Sequence, residues 1–166
     1  MRTISVLAAI TALALAAPAG AAPVVEVAFM DPGRYTDAAP RGYLASARER
    51  DATLAELRTH LQSLGAKFLK EGDRLALEVL DVDLAGNFEP TGESGRHERL
   101  LFDVTVPRIE LRYTLTRDGA QSTGEERITD LSYLRRFSTA CRSTAGLCYE
   151  KRMVDQWFAR LLAARP

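Results

Sequence analysis

The chain is poor in the residues on which much protein chemistry depends. Its 166 residues include only two histidines and two cysteines, and its 22 basic side chains are balanced by 22 acidic ones. Two histidines cannot form a three-histidine metal site, and two cysteines are too few for a disulfide-rich scaffold. The neutral balance argues against nucleic-acid binding, because neutralising phosphates requires an excess of lysine and arginine. With 46% hydrophobic residues, the composition is that of an ordinary globular protein.

Long apolar runs are also absent, except at the amino terminus. Arg2 is followed by an uncharged, mostly apolar run over residues 3–17, and the small residues Ala19-Gly20-Ala21 come shortly afterwards. A short positive end, an apolar stretch and small residues are the layout of a secretory signal peptide. The run is shorter than the roughly 20 apolar residues of a spanning helix. We therefore predict a signal peptide over residues 1–21, cleaved after Ala21, and a single domain over residues 22–166 with no membrane span.

The two cysteines, Cys141 and Cys148, are separated by six residues that include Gly146. In an oxidising compartment, a lone pair at this spacing most simply closes a small disulfide loop. A thiol redox site would be expected to have the tighter Cys-x-x-Cys spacing, and a zinc site needs more ligands than this segment has. We therefore predict a structural disulfide between Cys141 and Cys148.

Hydrophobic periodicity indicates the secondary structure. Apolar residues recur at intervals of three and four between residues 48 and 69 and again from Tyr149 to Leu162, which predicts two amphipathic helices. Alternating or β-branched segments predict strands over residues 24–29, 74–82, 100–106, 109–115 and 121–129, the last two joined by an Asp118-Gly119 turn. Glycine and proline indicate loops over residues 31–47, anchored by Tyr35 and Tyr43, and over residues 85–97. This order predicts an α+β fold, in which an antiparallel or mixed sheet of four to five strands carries two helices on one face.

Asp81 and Asp83 are the candidate metal ligands. Together with Gly86 they match the first, third and sixth positions of a calcium-binding loop, but Ala85 and Gly92 occupy the fifth and twelfth positions, where ligands are required. Aspartates at a strand end also accept backbone hydrogen bonds in turns. A structural turn is the favoured interpretation and metal binding is the alternative, and no cofactor is predicted.

The histidines and the aromatic pair of the last helix are the other candidates. His60 and His97 belong to no recognised catalytic motif, so we predict no catalytic residue. Trp157 and Phe158 lie on the apolar stripe of the carboxy-terminal helix. Such rings are usually core residues, and partner binding through Trp157 and Phe158 is the alternative.

Four segments carry a family resemblance. They are VEVAFMDP at residues 25–32, LALEVLDVDLAG at 75–86, PRIELRY at 107–113, and YEKRM at 149–153, which is followed by Trp157-Phe158. In this order they resemble the secreted proteobacterial proteins called domain of unknown function 3016. The resemblance implies an exported, single-domain protein of a Gram-negative bacterium with no assigned activity, and it supplies no catalytic residues.

Export, neutral charge and the lack of a complete catalytic constellation favour a non-catalytic periplasmic protein that binds a partner or supports the cell envelope. One alternative is a hydrolytic or metal-dependent enzyme built around Asp81 and Asp83. Another is a small-ligand carrier with a pocket between the sheet and the loop of residues 31–47. The predicted partner is thus an envelope protein or a small ligand, and not a nucleic acid.

Overall fold

A computed structural model describes residues 22–91, 96–135, 141 and 146–163. In chain order the elements are β1 (Val24–Phe29), α1 (Ala47–Phe68), β2 (Arg74–Asp83), β3 (Asn87–Thr91), β4 (Arg96–Leu100), β5 (Arg108–Arg117), β6 (Ala120–Thr129) and α2 (Cys148–Ala163). The predicted signal peptide and its cleavage site lie outside the described residues. Within them, no helix has the length and apolar character needed to cross a membrane.

The central feature is a mixed sheet of four strands in the order β1-β2-β5-β6. Strand β1 runs parallel to β2, whereas β2 pairs antiparallel with β5 and β5 pairs antiparallel with β6. Strands β3 and β4 form a separate two-stranded sheet. The predicted α+β class and the mixed sheet are confirmed.

Helix α1 forms where the periodicity predicts it. It begins at a capping box, in which Glu49 N–H donates to the Ser46 hydroxyl while the Glu49 carboxylate accepts from Ser46 N–H. Its buried leucines, which lie on one face at helical spacing, are Leu54, Leu57, Leu61 and Leu64. Gly65 lets the helix approach β1, because a Cβ there would overlap Val25 Cγ2.

Both helices pack on one face of the sheet, as predicted. Apolar side chains of α1 and α2 join the inward-facing residues of β1, β2, β5 and β6 in one buried cluster. Trp157 and Phe158 belong to it, and each is only 1% exposed. Burial of these rings matches the core interpretation and disfavours partner binding, since neither ring presents a surface to another molecule.

The hairpin of β5 and β6 also matches the sequence prediction. Asp118 and Gly119 have φ values of 51° and 79°. The two central residues of a type I′ turn require positive φ values of this kind. The register of the two strands runs without interruption from Arg117 opposite Ala120 to Arg108 opposite Thr129. The side chains on the solvent-facing side of β6 are polar and exposed, as expected for an edge strand.

Two sequence predictions are wrong. A loop is predicted over residues 85–97, yet β3 and the first two residues of β4 lie there. Pro90 is accommodated because both strands of this small sheet are edges. Residues 100–106 were expected to form a strand, yet beyond Leu100 they turn. Thr105 N–H donates to Phe102 O at 3.0 Å and Phe102 N–H donates to the Thr105 hydroxyl at 3.1 Å. Of the alternating apolar residues, Phe102 and Val104 are exposed, so the alternation does not mark a buried strand face.

The segment of residues 31–47 is a loop with two short 3-10 turns, at Pro32–Arg34 and Gly42–Leu44. Tyr35 anchors it, because its hydroxyl donates to Val79 O at 2.7 Å. Tyr43 does not anchor it in the same way: its side chain is 71% exposed and its ring contacts Phe88 and His97 on the β3–β4 hairpin. The loop and the hairpin therefore face each other across a groove.

Candidate functional site

Arg99, on β4, joins the segments around this groove. Its Nη2 donates to Asp37 Oδ2 at 2.8 Å and to Ala39 O at 2.7 Å, and its Nε donates to Pro40 O at 3.1 Å. Its Nη1 donates to the carbonyl oxygens of residues 85 and 86 at 3.2 and 2.9 Å. One guanidinium group thus ties the hairpin to the loop and to the chain that follows β2.

The end of β2 also meets the start of α2. Ala85 N–H donates to Glu150 Oε1 at 2.8 Å, and Glu150 is only 4% exposed. Burial raises the pKa of the Glu150 carboxyl, although the hydrogen bond from Ala85 and the charge of Arg99 act in the opposite direction. Two of the segments that carry the family resemblance, at residues 75–86 and 149–153, therefore meet at one buried contact.

A small cavity of about 100 Å³ lies beside this contact. Leu84, Leu101, Leu147 and Tyr149 contribute apolar surface, while Arg99, Glu150 and Glu56 contribute polar groups. This volume holds a few water molecules or a small apolar group, and it is too small for a drug-sized ligand.

Asp81 and Asp83 lie on the other side of Arg99, at the end of β2. Arg108 Nη2 is 3.6 Å from Asp81 Oδ2 and 3.1 Å from Asp83 Oδ2. The Asp81 carboxylate also accepts hydrogen bonds from Thr36 N–H and from its hydroxyl, both at 2.7 Å. Desolvation raises the pKa of Asp83, and the charges of Asp37 and Asp81 add to the rise, while Arg108 opposes it.

No group of three or more histidine, cysteine, aspartate or glutamate side chains within the described part of the chain is arranged to hold a metal ion. Asp81 accepts its hydrogen bonds from Thr36, 45 positions away, and so holds the loop of residues 31–47 to β2. Metal binding by Asp81 and Asp83 stays an untested alternative.

The groove itself has a volume of about 340 Å³. Its walls come from the loop of residues 31–47, from the end of β2 and from β3, and they comprise Thr36, Asp37, Gly42, Tyr43, Asp83, Asn87, Phe88 and Glu89. The rings of Phe88 and His97 are stacked with centroids 5.7 Å apart, and Tyr43 meets both edge-on. Acidic and aromatic groups therefore share one open concave surface.

The other predicted residues lie away from the groove. His60 Nε2 is 2.7 Å from Asp155 Oδ1, so this histidine links α1 to α2. Cys141 and Cys148 form the predicted disulfide, with Cα atoms 5.5 Å apart. Cys148 also lines the small cavity next to Glu150.

Sequence reasoning missed Arg99, Glu150 and Tyr43 as site residues. Arg99 lies between the predicted loop, which ends at residue 97, and the predicted strand, which begins at residue 100. A single arginine there is indistinguishable from its exposed neighbours. Glu150 gave one signal, since it is a charged residue on the stripe side of a helix with buried neighbours at Tyr149 and Met153. Nothing in the local sequence shows that Arg99 and Glu150 meet residues more than 60 positions away.

A family model matches most of the chain. The profile of the family described as "Protein of unknown function (DUF3016)" matches residues 23–160. No curated protein and no solved structure matches the chain.

Proposed function

The chain belongs to the family of proteins of unknown function DUF3016, and we propose that it is an exported, non-catalytic binding protein. Its ligand site is the groove between the loop of residues 31–47 and the β3–β4 hairpin, and its ligand is a small organic cation. The observation that carries this proposal is the placement of carboxylates beside the rings of Tyr43 and Phe88 on one concave surface.

The charge of the groove favours a cation. Three carboxylates line it, those of Asp37, Asp83 and Glu89. Arg99 is paired with Asp37 and Arg108 with Asp83. Glu89 Oε1 accepts a 3.4 Å hydrogen bond from Asn87 Nδ2, which is a neutral group. A bound ammonium group would offset the remaining negative charge at a partly desolvated site, where charges interact more strongly than in water.

The rings supply the second element of the proposed site. Tyr43 is 71% exposed, and its ring lies 6.3 Å from that of Phe88. A cation over an aromatic face is stabilised by about 0.5–2 kcal/mol, depending on its desolvation. The non-polar part of an organic amine can also pack against these rings, whereas an inorganic cation has no non-polar part.

The proposed lack of catalysis rests on how the acidic groups are engaged. Asp37 is held by Arg99, Asp83 by Arg108, and Asp81 by both Arg108 and Thr36. A general acid or base needs a proton-transfer group that can reach the substrate. These ion pairs orient the carboxylates as fixed parts of a binding surface.

Export is supported by two features. The Cys141–Cys148 disulfide is typical of an oxidising compartment, and the first 21 residues have the composition of a signal peptide. We expect the protein expressed in a Gram-negative host to be recovered from the periplasmic fraction with Ala22 as its first residue. Intact-protein mass spectrometry measures this, and a cytoplasmic protein that retains residues 1–21 would contradict it.

Calorimetric titration tests the ligand class. We expect spermidine to bind and 1,4-butanediol, a neutral probe, to give no heat. Tyr43→Ala should weaken spermidine binding about 2- to 30-fold through loss of the ring, and Glu89→Gln should weaken it through loss of charge. Glu26→Gln, at an exposed position of β1, is the matched control and should bind spermidine like the unaltered protein.

Two outcomes would overturn the proposed ligand class. The first is the same weak heat for spermidine and for 1,4-butanediol, with no effect of Tyr43→Ala. The second is binding of Ca²⁺ or Mg²⁺ that Asp81→Ala and Asp83→Ala abolish while spermidine gives no heat, which would favour the metal-site alternative. Turnover of a substrate by the purified protein would separately contradict the non-catalytic role.

A further inference from the structure

Strand β6 forms one edge of the four-stranded sheet, and its outward-facing residues are accessible. Residues 121, 123, 125, 127 and 129 are all exposed. We propose that β6 pairs antiparallel with β6 of a second copy of this chain, so that two sheets join into one of eight strands. This inference is independent of the ligand groove.

The turn sets which backbone groups are available. In a hairpin closed by a two-residue turn, the flanking pair Arg117 and Ala120 exchanges hydrogen bonds, and such pairs alternate along the ladder. The even-numbered residues of β6 therefore bond to β5, and the odd-numbered residues direct their N–H and C=O groups outward. Pairing of two copies about Glu126 would close about eight intermolecular backbone hydrogen bonds.

The charges of the solvent-exposed face select this register. Arg112 contacts Glu78 at 3.6 Å and Glu125 at 2.6 Å, so a row of alternating charge runs from β2 through β5 to β6. In the neighbouring row Arg127 contacts Glu110 at 2.7 Å. One row ends at the sheet edge in the negative charge of Glu125, and the neighbouring row ends in the positive charge of Arg127. A two-fold axis between the two rows therefore places opposite charges against each other.

Pairing centred on Glu126 places Glu125 opposite Arg127 of the second copy, and Arg127 opposite its Glu125. Each row then extends across the interface with alternating sign, from Glu78 through Arg112 and Glu125 to the second copy's Arg127 and Glu110. A shift of one step in either direction places Glu125 opposite itself or Arg127 opposite itself. Like charges directly opposite each other destabilise a strand pair, so both shifted registers are disfavoured.

One contact opposes the pairing. On the inner face, Glu126 of one copy would stand opposite Glu126 of the other. Each carboxylate also accepts a hydrogen bond from Trp157 Nε1 of its own chain at 3.2 Å, which directs it toward α2. Glu126→Gln keeps an acceptor for Trp157 and removes the repulsion, so this variant is expected to dimerise more tightly than the unaltered protein.

Sedimentation velocity over micromolar to millimolar concentrations measures the monomer–dimer equilibrium. Glu125→Arg gives a chain with two arginines at the edge, and Arg127→Glu gives one with two glutamates. Each variant alone should dimerise about ten- to a hundredfold more weakly than the unaltered chain, since both cross-interface pairs become repulsive. An equimolar mixture of the two variants should restore dimerisation, because the charges are again complementary.

Two further variants separate edge pairing from other effects. Thr123→Pro removes an outward N–H group, which an edge strand tolerates in the monomer but which the interface needs. It should abolish the dimer while circular dichroism stays unchanged. Glu26→Arg alters charge on β1, at the opposite edge of the sheet, and should leave dimerisation unaffected.

Three results would overturn the proposal. They are a monomer at every concentration for both the unaltered chain and Glu126→Gln, a dimer that survives Thr123→Pro, and a mixture of the two charge variants that dimerises no better than either alone. Weakening by Glu26→Arg without weakening by Arg127→Glu would assign the interface to the other edge, and would overturn it equally.

Discussion

Replacing Arg99 by lysine should destabilise the protein far more than an ordinary surface substitution. The Arg99 side chain is 14% exposed, and its guanidinium group donates five hydrogen bonds to Asp37, Ala39, Pro40, Ala85 and Gly86. A lysine ammonium group has three donors from a single point, so at least two acceptors would lose their protein partner. Each acceptor left unsatisfied costs about 1–3 kcal/mol when buried, and less where water can reach it.

These values predict that Arg99→Lys lowers the free energy of unfolding by about 2–4 kcal/mol. Arg96→Lys is the matched control, because Arg96 lies on the same strand, is exposed, and should change stability by less than about 0.5 kcal/mol. Urea denaturation followed by circular dichroism measures both. Limited proteolysis should also cut the β3–β4 hairpin of Arg99→Lys faster, since its attachment to the loop is weakened.

A difference of less than about 1 kcal/mol between the two variants would refute this account of Arg99. It would mean that the five acceptors recover equivalent hydrogen bonds from water. The same variant bears on the ligand site, because the loop and hairpin that form the groove are joined through this side chain. Spermidine binding should therefore weaken in Arg99→Lys even though the arginine itself carries the wrong charge for the ligand.

Three further predictions concern the core, the buried carboxyl and the disulfide. Gly65→Ala should lower the free energy of unfolding by about 1–3 kcal/mol because the added Cβ overlaps Val25, although alanine is the better helix former. In a double-mutant cycle, Gly65→Ala with Val25→Ala should lower this free energy by less than the sum of the two single changes. Because the pKa of Glu150 is raised in the folded protein, this carboxyl group ionises at lower pH in the unfolded chain. Its contribution to stability is therefore retained below pH about 4.5 and lost as the pH rises toward the folded-state pKa. Glu150→Gln should lose this pH dependence in urea denaturation from about pH 4 to 8, and an unchanged dependence would contradict the prediction. Reduction of Cys141–Cys148 should lower stability by about 2–3 kcal/mol at most for so short a loop, measured against a Cys141→Ser/Cys148→Ser variant that dithiothreitol should not affect.

Sequence alone determined the elements whose signals are local. The leucine spacing of α1, the alternation of β5, and the turn at Asp118 and Gly119 each depend on neighbours within a few residues, and all three are confirmed. The disulfide was predictable because only one pairing of two cysteines exists. The family, too, was identified from short segments in order.

Local patterns failed where a segment's structure depends on distant partners. The β3–β4 hairpin lacks an apolar periodicity, and Arg99 holds it to residues far along the chain. The alternation over residues 100–106 is real, but the turn at Phe102 and Thr105 prevents a strand. Alternation records which side chains are apolar and does not record whether another strand is available to pair with.

Tertiary structure alone decided the candidate site. Tyr43, Asp83 and Phe88 come from a loop, the end of one strand and another strand, and only the packing of the hairpin against the loop places them around one groove. Tertiary structure also decided that β6 is an edge strand, since the sequence of a polar strand does not show whether another strand pairs with its free side. Backbone hydrogen bonding along a segment can be predicted from that segment's own residues, whereas a binding surface is formed by residues whose proximity depends on how the whole chain folds.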